Sequence, residues 1–272
     1  MNEKHNIIYP DSGNPLEDAS VLRNAVYFST AERAYSAQLI LQQPLNINQR
    51  AVDFLVIKAF EEFMTSTEDL VGWLFILQEW QPGNAEYSLF LLLDKIQVGK
   101  RGHYEEKRAV SLLAGLDGEG FRILCHIPKD DELINSGFPN ELADNIKRSM
   151  PRKLEGWLKI AKKRAEHSRG WVRMFNKFKH HMLAFPTRVR DKDEIWMPTS
   201  INFNKEHNNI KLAQGWLESS VNELRRLASD AIAAQAILHD TLAVILTTRY
   251  KEQYTVPQWV IKAYQTDYLW QR

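Results

Sequence analysis

Five large apolar residues between positions 171 and 185 recur at intervals of four, three, four and three residues. An α-helix advances about 100° per residue, so these side chains fall within about 40° of one line along a helix. A narrow apolar stripe of this kind has to pack against neighbouring helices. The spacing predicts a helix over 171–185, ended by Pro186, whose stripe consists of Trp171, Phe175, Phe178, Met182 and Phe185.

Helical spacing of apolar residues extends over most of the chain. Two segments depart from it, at about 118–128 and about 187–204, where glycines or alternating residues favour a strand or a small β-hairpin. The expected fold class is therefore all-α, a multi-helix bundle with a small β-hairpin or strand in those irregular segments. Helices are expected over 18–43, 48–64, 68–80, 84–98, 103–113, 147–168, 171–185, 208–229 and 231–250, with shorter helical pieces in 130–146 and in the tail.

A single helical domain over residues 1–272 is expected, because no Ser-, Gly- or Pro-rich linker divides the chain. Residues 1–20, which include Pro10, Gly13 and Pro15, predict an irregular N-terminal arm.

A cytoplasmic location is expected from two absences in the sequence. The single cysteine cannot form an intramolecular disulfide, and the N-terminus has no basic-then-apolar signal segment. The longest apolar run, near 89–93, is far shorter than the roughly 20 residues that cross a bilayer. No membrane partner is expected.

Charge is distributed unevenly along the chain. The formal net charge is +1, but residues 147–190 contain fourteen basic residues against two acidic ones, Glu155 and Glu166. That segment carries +12, which leaves −11 for the rest. A stable surface usually mixes both signs, whereas cations without acidic neighbours repel one another. The surplus indicates an anionic partner, with candidate phosphate contacts at Lys159, Lys162, Lys163, Arg169, Lys177 and Lys179.

The side of the 171–185 helix opposite the stripe carries a polar row. At about 140° to 200° from the stripe, the row consists of Arg169, Arg173, Asn176 and His180, with Lys177 beside them. Neighbouring cations should disfavour the charged form of His180, so that it can accept a proton near pH 7. The planar guanidinium of Arg173 suits a phosphate group. A solvated helix face is the simpler alternative, since any surface helix shows a polar row.

This basic helix resembles the HEPN superfamily of all-helical domains, in which an arginine and a histidine are separated by four to six residues. Arg173 and His180 have six residues between them, and the phrase FNKFKH is similar to the NKxKH pattern of several helical families. The resemblance implies a metal-independent ribonuclease, often dimeric, in which His180 helps activate the ribose 2′-hydroxyl and Arg173 supports the phosphate. Asn176 completes the candidate catalytic set. Met174 stands where the family usually has a polar residue.

Motifs for other chemistry are missing from the sequence. It contains no phosphate-binding P-loop, dinucleotide turn, zinc-protease helix or nucleophile elbow, so neither a cofactor nor a metal is expected. The eight tryptophans are expected to anchor the core, although Trp157 or Trp196 could instead stack on a base.

Three functions remain open on the sequence alone. The leading hypothesis is a nucleic-acid-binding helical protein, with RNA favoured over DNA, that uses the 147–190 surface and extends to cleavage by Arg173 and His180. The alternative is a non-enzymatic interaction module whose basic face docks an acidic protein or a second copy of the chain. A bundle that encloses a small apolar ligand is the third.

Overall fold

Helices dominate the fold, as the spacing of apolar residues predicts. The structure, a computed structural model, describes residues 17–44, 48–95, 104–166, 168–179, 187–189, 192–204 and 209–265. These residues form an all-α multi-helix fold with one small antiparallel sheet, which confirms the expected fold class. The helices are α1 (Asp18–Asn24), α2 (Thr30–Leu41), α3 (Gln49–Glu79), α4 (Leu89–Lys95), α5 (Tyr104–Ala114), α6 (Gly118–Leu124), α7 (Asp130–Asn135), α8 (Asn140–Glu166), α9 (Ser168–Lys179), α10 (Val221–Tyr250) and α11 (Gln258–Gln265).

The first long helical segment is continuous from α1 to α2 through a π-helical turn, Ala25–Ser29. It begins at Asp18, inside the last positions assigned to the N-terminal arm. The Asp18 carboxylate accepts a hydrogen bond from the Trp80 indole at 2.8 Å and another from the Leu89 backbone N–H at 2.8 Å. These bonds attach α1 to the end of α3 and the start of α4.

The helix α3 is continuous over 31 residues, so the break predicted at 65–67 is wrong. The hydroxyl groups of the two threonines at this point form hydrogen bonds within the helix itself. Thr65 Oγ1 donates to the Glu61 carbonyl at 2.8 Å, and Thr67 Oγ1 donates to the Phe63 carbonyl at 2.9 Å. A hydroxyl that bonds one turn back competes little with the helix, which explains why these polar residues do not end it.

Residues 118–124 form the helix α6 and residues 125–128 leave it through a turn, so the strand predicted in 118–128 is wrong. Asp117 caps α6 by accepting a hydrogen bond from the Gly120 backbone N–H at 2.7 Å. Phe121 and Cys125, one turn apart, are both buried in the core, and burial raises the pKa of the Cys125 thiol. His126 then adopts a left-handed conformation, with φ of 53°, that turns the chain away.

The sheet consists of β1 (Thr187–Arg188), β2 (Glu194–Asn204) and β3 (Asn209–Glu218), paired antiparallel in the order β1-β2-β3. It confirms the β structure expected over 187–204 and overturns the helix predicted from 208. Gly215 and Leu217 in β3 are buried while Trp216 is exposed, which is the two-residue alternation of a strand. The buried face of the sheet packs on α9.

The helix α10 lies against both α3 and α2. Ser220 caps it by accepting a hydrogen bond from the Glu223 backbone N–H at 3.1 Å, and Lys251, with φ of 55°, ends it. By length and composition alone this helix could cross a membrane. However, 78% of its most apolar 18-residue window is buried inside the protein, as expected for a core helix.

Arg164 joins three helices from inside the core. This α8 residue is only 2% exposed, and its Nη1 donates to the Met64 carbonyl at 2.8 Å and to Thr67 Oγ1 at 2.9 Å, both on α3. Its Nε lies 3.3 Å from Glu106 Oε1 on α5, and Glu106 is also buried. A buried charge is tolerated only when it is paired and hydrogen-bonded, so α8 can pack only in the register that delivers these partners.

Replacing Arg164 with Met should lower the free energy of unfolding by about 3–5 kcal/mol, because Glu106 is left as an uncompensated buried charge. The double variant Arg164→Met/Glu106→Leu should recover a large part of that loss, since it removes both charges. Urea unfolding at pH 7 measures both. Arg23→Met, which breaks the exposed pair with Glu252, is the control and should cost at most about 1 kcal/mol. If Arg164→Met is as stable as this control variant, Arg164 does not hold α8 against α3 and α5 as inferred.

Candidate functional site

The helix α9 presents Arg173 to solvent, as the polar row predicts. Asn176 is half-buried on the same helix, so its amide is less available than the Arg173 guanidinium. His180 lies outside the described residues, which leaves the pairing of Arg173 with His180 as a prediction. The backbone of α9 includes Arg169, Lys177 and Lys179, whose side chains are also outside the described part of the structure.

The opposite side of α9 packs on α3 and on the sheet. Trp171 meets the rings of Phe60 and Phe63 edge-on, with centroids 5.4 and 5.9 Å away, and Phe175 is buried. These two members of the predicted stripe therefore face the core. Of the other three, Phe178 has an undescribed side chain, and Met182 and Phe185 lie outside the described residues.

Met174 is buried at the position where the HEPN pattern usually has a polar residue. The buried face of α9 is wider than the stripe because the sheet covers its second side, where Val172 and Met174 join Ile195 and Met197 in one apolar cluster. The methionine is thus explained by packing. A polar side chain at this point would need a hydrogen-bond partner inside that cluster.

Three cations of the basic segment are neutralised within the protein. Arg164 pairs with Glu106, Lys153 pairs with Asp240 on α10, and Lys163 pairs with Asp230 on α10 at 2.5 Å. Burial lowers the pKa of Lys153 to about 7. The Asp240 carboxylate that pairs with Lys153 also accepts a hydrogen bond from Tyr264. The partners come from elements distant in sequence, so counting neighbours along α8 could not reveal them. Lys163, a candidate phosphate contact, already has an acidic partner.

Four further described cations lie on the outer face of α8. Lys147, Arg148, Arg152 and Lys162 are exposed, and none of them forms an ion pair with a described residue. At 1.5 Å per residue this row extends over about 22 Å from end to end. Lys159, also a candidate contact, is half-buried and interacts with other groups of the protein. The exposed acidic residues Glu155 and Glu166 lie along the same helix.

Neither of the two candidate base-stacking tryptophans is fully exposed, and the indole N–H of each is already hydrogen-bonded. Trp157 is fully buried, and its indole N–H donates to Thr241 Oγ1 at 3.0 Å, so the stacking role considered for it is wrong. Trp196 is half-buried, and its indole donates to Glu194 at 2.9 Å. Trp216, directly opposite on β3, is the exposed member of this cross-strand pair.

A pocket of about 450 Å³ opens between α2, α10 and α11, and no residue of the basic segment lines it. Sequence reasoning did not identify it, since its residues come from three separate helices and share no motif. Ser229 gives no sequence signal either, because it is one of several polar residues in α10, beside Asp230, Gln235 and His239. The lining residues are Gln38, Leu41, Gln42, Ser229, Ile232, Ala233, Gln258, Trp259, Lys262 and Ala263.

His239 is buried on α10 beside this region and is held in its neutral form. Its Nδ1 lies 2.7 Å from Thr30 Oγ1, and its ring meets Trp259 edge-on at 5.0 Å and Tyr254 at 5.5 Å. Burial lowers the pKa of His239 to about 4. Within the described residues, no group of three or more His, Cys, Asp or Glu side chains could hold a metal. His239 is therefore a packed core residue.

Comparison with protein-family models, with curated proteins and with solved structures finds no match to this chain.

Acidification should destabilise the protein through His239. The pKa of His239 is about 4 in the fold and about 6.5 in the unfolded chain, so its contribution is complete above pH 6.5 and disappears as the pH falls toward 4. Between pH 7 and pH 5 the wild type should lose roughly 2 kcal/mol more stability than His239→Gln, which has no titrating ring. Urea unfolding at the two pH values measures the difference. Equal losses in both proteins would show that His239 titrates normally.

Proposed function

We propose that the protein binds nucleic acid, with RNA favoured, along the exposed cations of α8. The observation that carries the proposal is the row of Lys147, Arg148, Arg152 and Lys162, four exposed cations on one rigid helix without an ion-pair partner in the described structure. Unpaired cations in a row repel one another, and a chain of phosphates relieves that repulsion along its whole length. The preference for RNA rests on the resemblance to HEPN domains.

Charge on the same helix limits the strength of the binding. Glu155 and Glu166 are exposed close to Arg152 and Lys162, and Lys163 and Arg164 are occupied by Asp230 and Glu106. The usable positive charge is therefore much smaller than the +12 counted over 147–190. Affinity should be modest and fall steeply with salt, since few phosphates are neutralised and each releases its counterions.

Arg173 extends the proposed surface onto α9. It is exposed, it has no ion-pair partner among the described residues, and it follows α8 in the chain after a short interval. A phosphate bound by Arg173 is the first requirement of the ribonuclease chemistry expected from the resemblance. The second requirement is His180. Cleavage stays a prediction, tested by incubating labelled RNA in EDTA with the wild type and with His180→Ala.

Removing two cations of the row should weaken RNA binding and reduce its salt dependence. For Arg152→Gln/Lys162→Gln, the slope of log affinity against log salt for single-stranded RNA should become shallower by about 1.4, since each phosphate contact contributes about 0.7. The control is Arg23→Gln/Lys58→Gln, which removes the same two residue types from exposed positions already paired with Glu252 and Glu61. Gel shift and fluorescence anisotropy, with mixed-sequence RNA and duplex DNA, measure the binding.

The same experiment separates RNA binding from the alternative function. An absence of any RNA or DNA shift at low salt, or an equal loss in the control variant, would remove the nucleic-acid proposal. If light scattering then shows salt-sensitive self-association that Arg152→Gln/Lys162→Gln abolishes, the basic face docks a second copy of the chain instead.

A further inference from the structure

The outer side of α2 and of the π-helical turn before it carries large apolar side chains that face solvent. Phe28 is 67% exposed, Tyr35 60% and Leu39 41%. Scattered apolar residues are normal on a surface, but these three lie within about 60° of one line along one helical segment. The opposite side of the segment, at Ala34 and Ala37, is buried in the core. This segment is therefore apolar on two sides, and the described residues cover only one of them.

The exposed side has the spacing of a coiled-coil seam. Four exposed residues follow one another at intervals of four, three and four positions: Phe28, Glu32, Tyr35 and Leu39. These intervals are the alternating d and a positions of a heptad, whose side chains insert between the side chains of a second helix. The four residues are called the α2 seam. Glu32, its one charged member, forms no hydrogen bond or ion pair with another described residue.

The residues that flank the α2 seam carry no charge. They are Ser29, Ala31, Ser36 and Gln38. A helix face that meets only water is usually rich in charged residues, as the outer face of α8 is. The centre of a protein interface is instead depleted in charge and enriched in aromatic residues. Small flanking side chains also allow two helix axes to approach closely. The composition around the seam therefore indicates a helix as its partner.

A second copy of the chain fits the α2 seam when the two helices run antiparallel. A two-fold axis between positions 33 and 34 places Phe28 of each copy opposite Leu39 of the other copy. The same axis places Glu32 opposite Tyr35, whose hydroxyl can donate a hydrogen bond to the Glu32 carboxylate. A parallel pairing in register would instead bring the two Glu32 carboxylates together, and they would repel each other. A polar residue in a seam selects the pairing in this way.

The area of the exposed apolar surface suits a weak dimer. An aromatic side chain presents roughly 150–250 Å², so the exposed parts of Phe28, Tyr35 and Leu39 amount to roughly 300 Å² in each copy. Apolar patches of this size on a single protein often mark an interaction site. With the flanking residues, two copies would bury on the order of 1,000 Å², which is the small end of specific interfaces. A dissociation constant on the order of micromolar is therefore expected.

We propose that the protein forms an antiparallel homodimer through the α2 seam. Phe28 and Leu39 of opposite copies pack against each other, and Tyr35 of each copy donates a hydrogen bond to Glu32 of the other. None of the exposed cations of α8 belongs to this surface, so the dimer does not depend on nucleic-acid binding.

Sedimentation velocity on the full chain, from about 1 to about 100 µM, tests the proposal. The wild type should change from monomer to dimer over this range. Leu39→Glu places a carboxylate against Phe28 of the other copy and should weaken dimerisation at least tenfold. The control is Ile123→Glu, the same kind of change at a residue of α6 that is 60% exposed, and it should dimerise like the wild type. Circular dichroism should show both variants folded, since neither position is in the core.

Salt separates this dimer from one formed by the basic face of α8. An apolar contact is not screened by ions, so dimerisation through the α2 seam should persist at about 0.5 M NaCl. Arg152→Gln/Lys162→Gln should also dimerise like the wild type. A wild type that stays monomeric at every concentration would overturn the proposal. A dimer that Leu39→Glu leaves unchanged, or that dissociates with salt, would place the contact on another surface and overturn it as well.

Disulfide formation tests the antiparallel pairing. Phe28→Cys mixed with Leu39→Cys should cross-link on oxidation at about 100 µM, because the two positions face each other in the dimer. Phe28→Cys alone should not, since its two copies lie about 17 Å apart along the helix axis. The native Cys125 is buried and does not interfere. If Phe28→Cys cross-links with itself as readily as with Leu39→Cys, the antiparallel dimer is wrong.

Discussion

The arrangement of the long helices depends on the burial of one guanidinium. Arg164 enters the interface between α8, α3 and α5 and finds a backbone carbonyl, a hydroxyl and a carboxylate there. Apolar side chains can slide past one another at modest cost, but a buried charge has acceptable energy only where its partners are. This interaction sets the register in which the basic helix lies on the core. It also decides which side of α8 faces solvent.

Long-range ion pairs explain why the chain can concentrate its positive charge in one segment. Acidic groups from α5 and α10 neutralise the inward side of α8, through Glu106, Asp230 and Asp240. The concentration of positive charge in this segment therefore serves partly to hold the helices together. The outward cations are the ones available to a partner, and this is a smaller and more specific group than the charge count indicates.

Predictions from the sequence succeed where a single buried face of a helix determines the spacing of its apolar residues. The helix α9 was predictable because Trp171 and Phe175 mark its buried side. The apolar character of 231–250 likewise predicted helix there, but the division placed near 230 is wrong, since α10 is continuous from Val221 to Tyr250. They fail where two faces or distant residues decide the outcome. Residues 209–218 have helix-like composition but pair with β2, and the threonines at 65 and 67 bond back into α3 instead of ending it.

For the candidate sites, too, local features could be predicted from the sequence and contacts between distant residues could not. The exposure of Arg173 follows from its position opposite the stripe. The occupation of Lys163 by Asp230 does not follow, since the two residues are 67 positions apart, and no spacing rule could place Ser229 opposite glutamines of α2 and α11. Local periodicity fixes the direction of a side chain relative to its own helix. The identity of its neighbours depends on how the helices assemble.

Ser229 and Asp230 are adjacent on α10, yet one lines the pocket and the other holds Lys163 of α8. Less than one helical turn therefore separates the wall of the pocket from the ion pair that supports the basic helix. Because a close-packed interior transmits strain, a displacement of this turn of α10 would move the pocket wall and that support together.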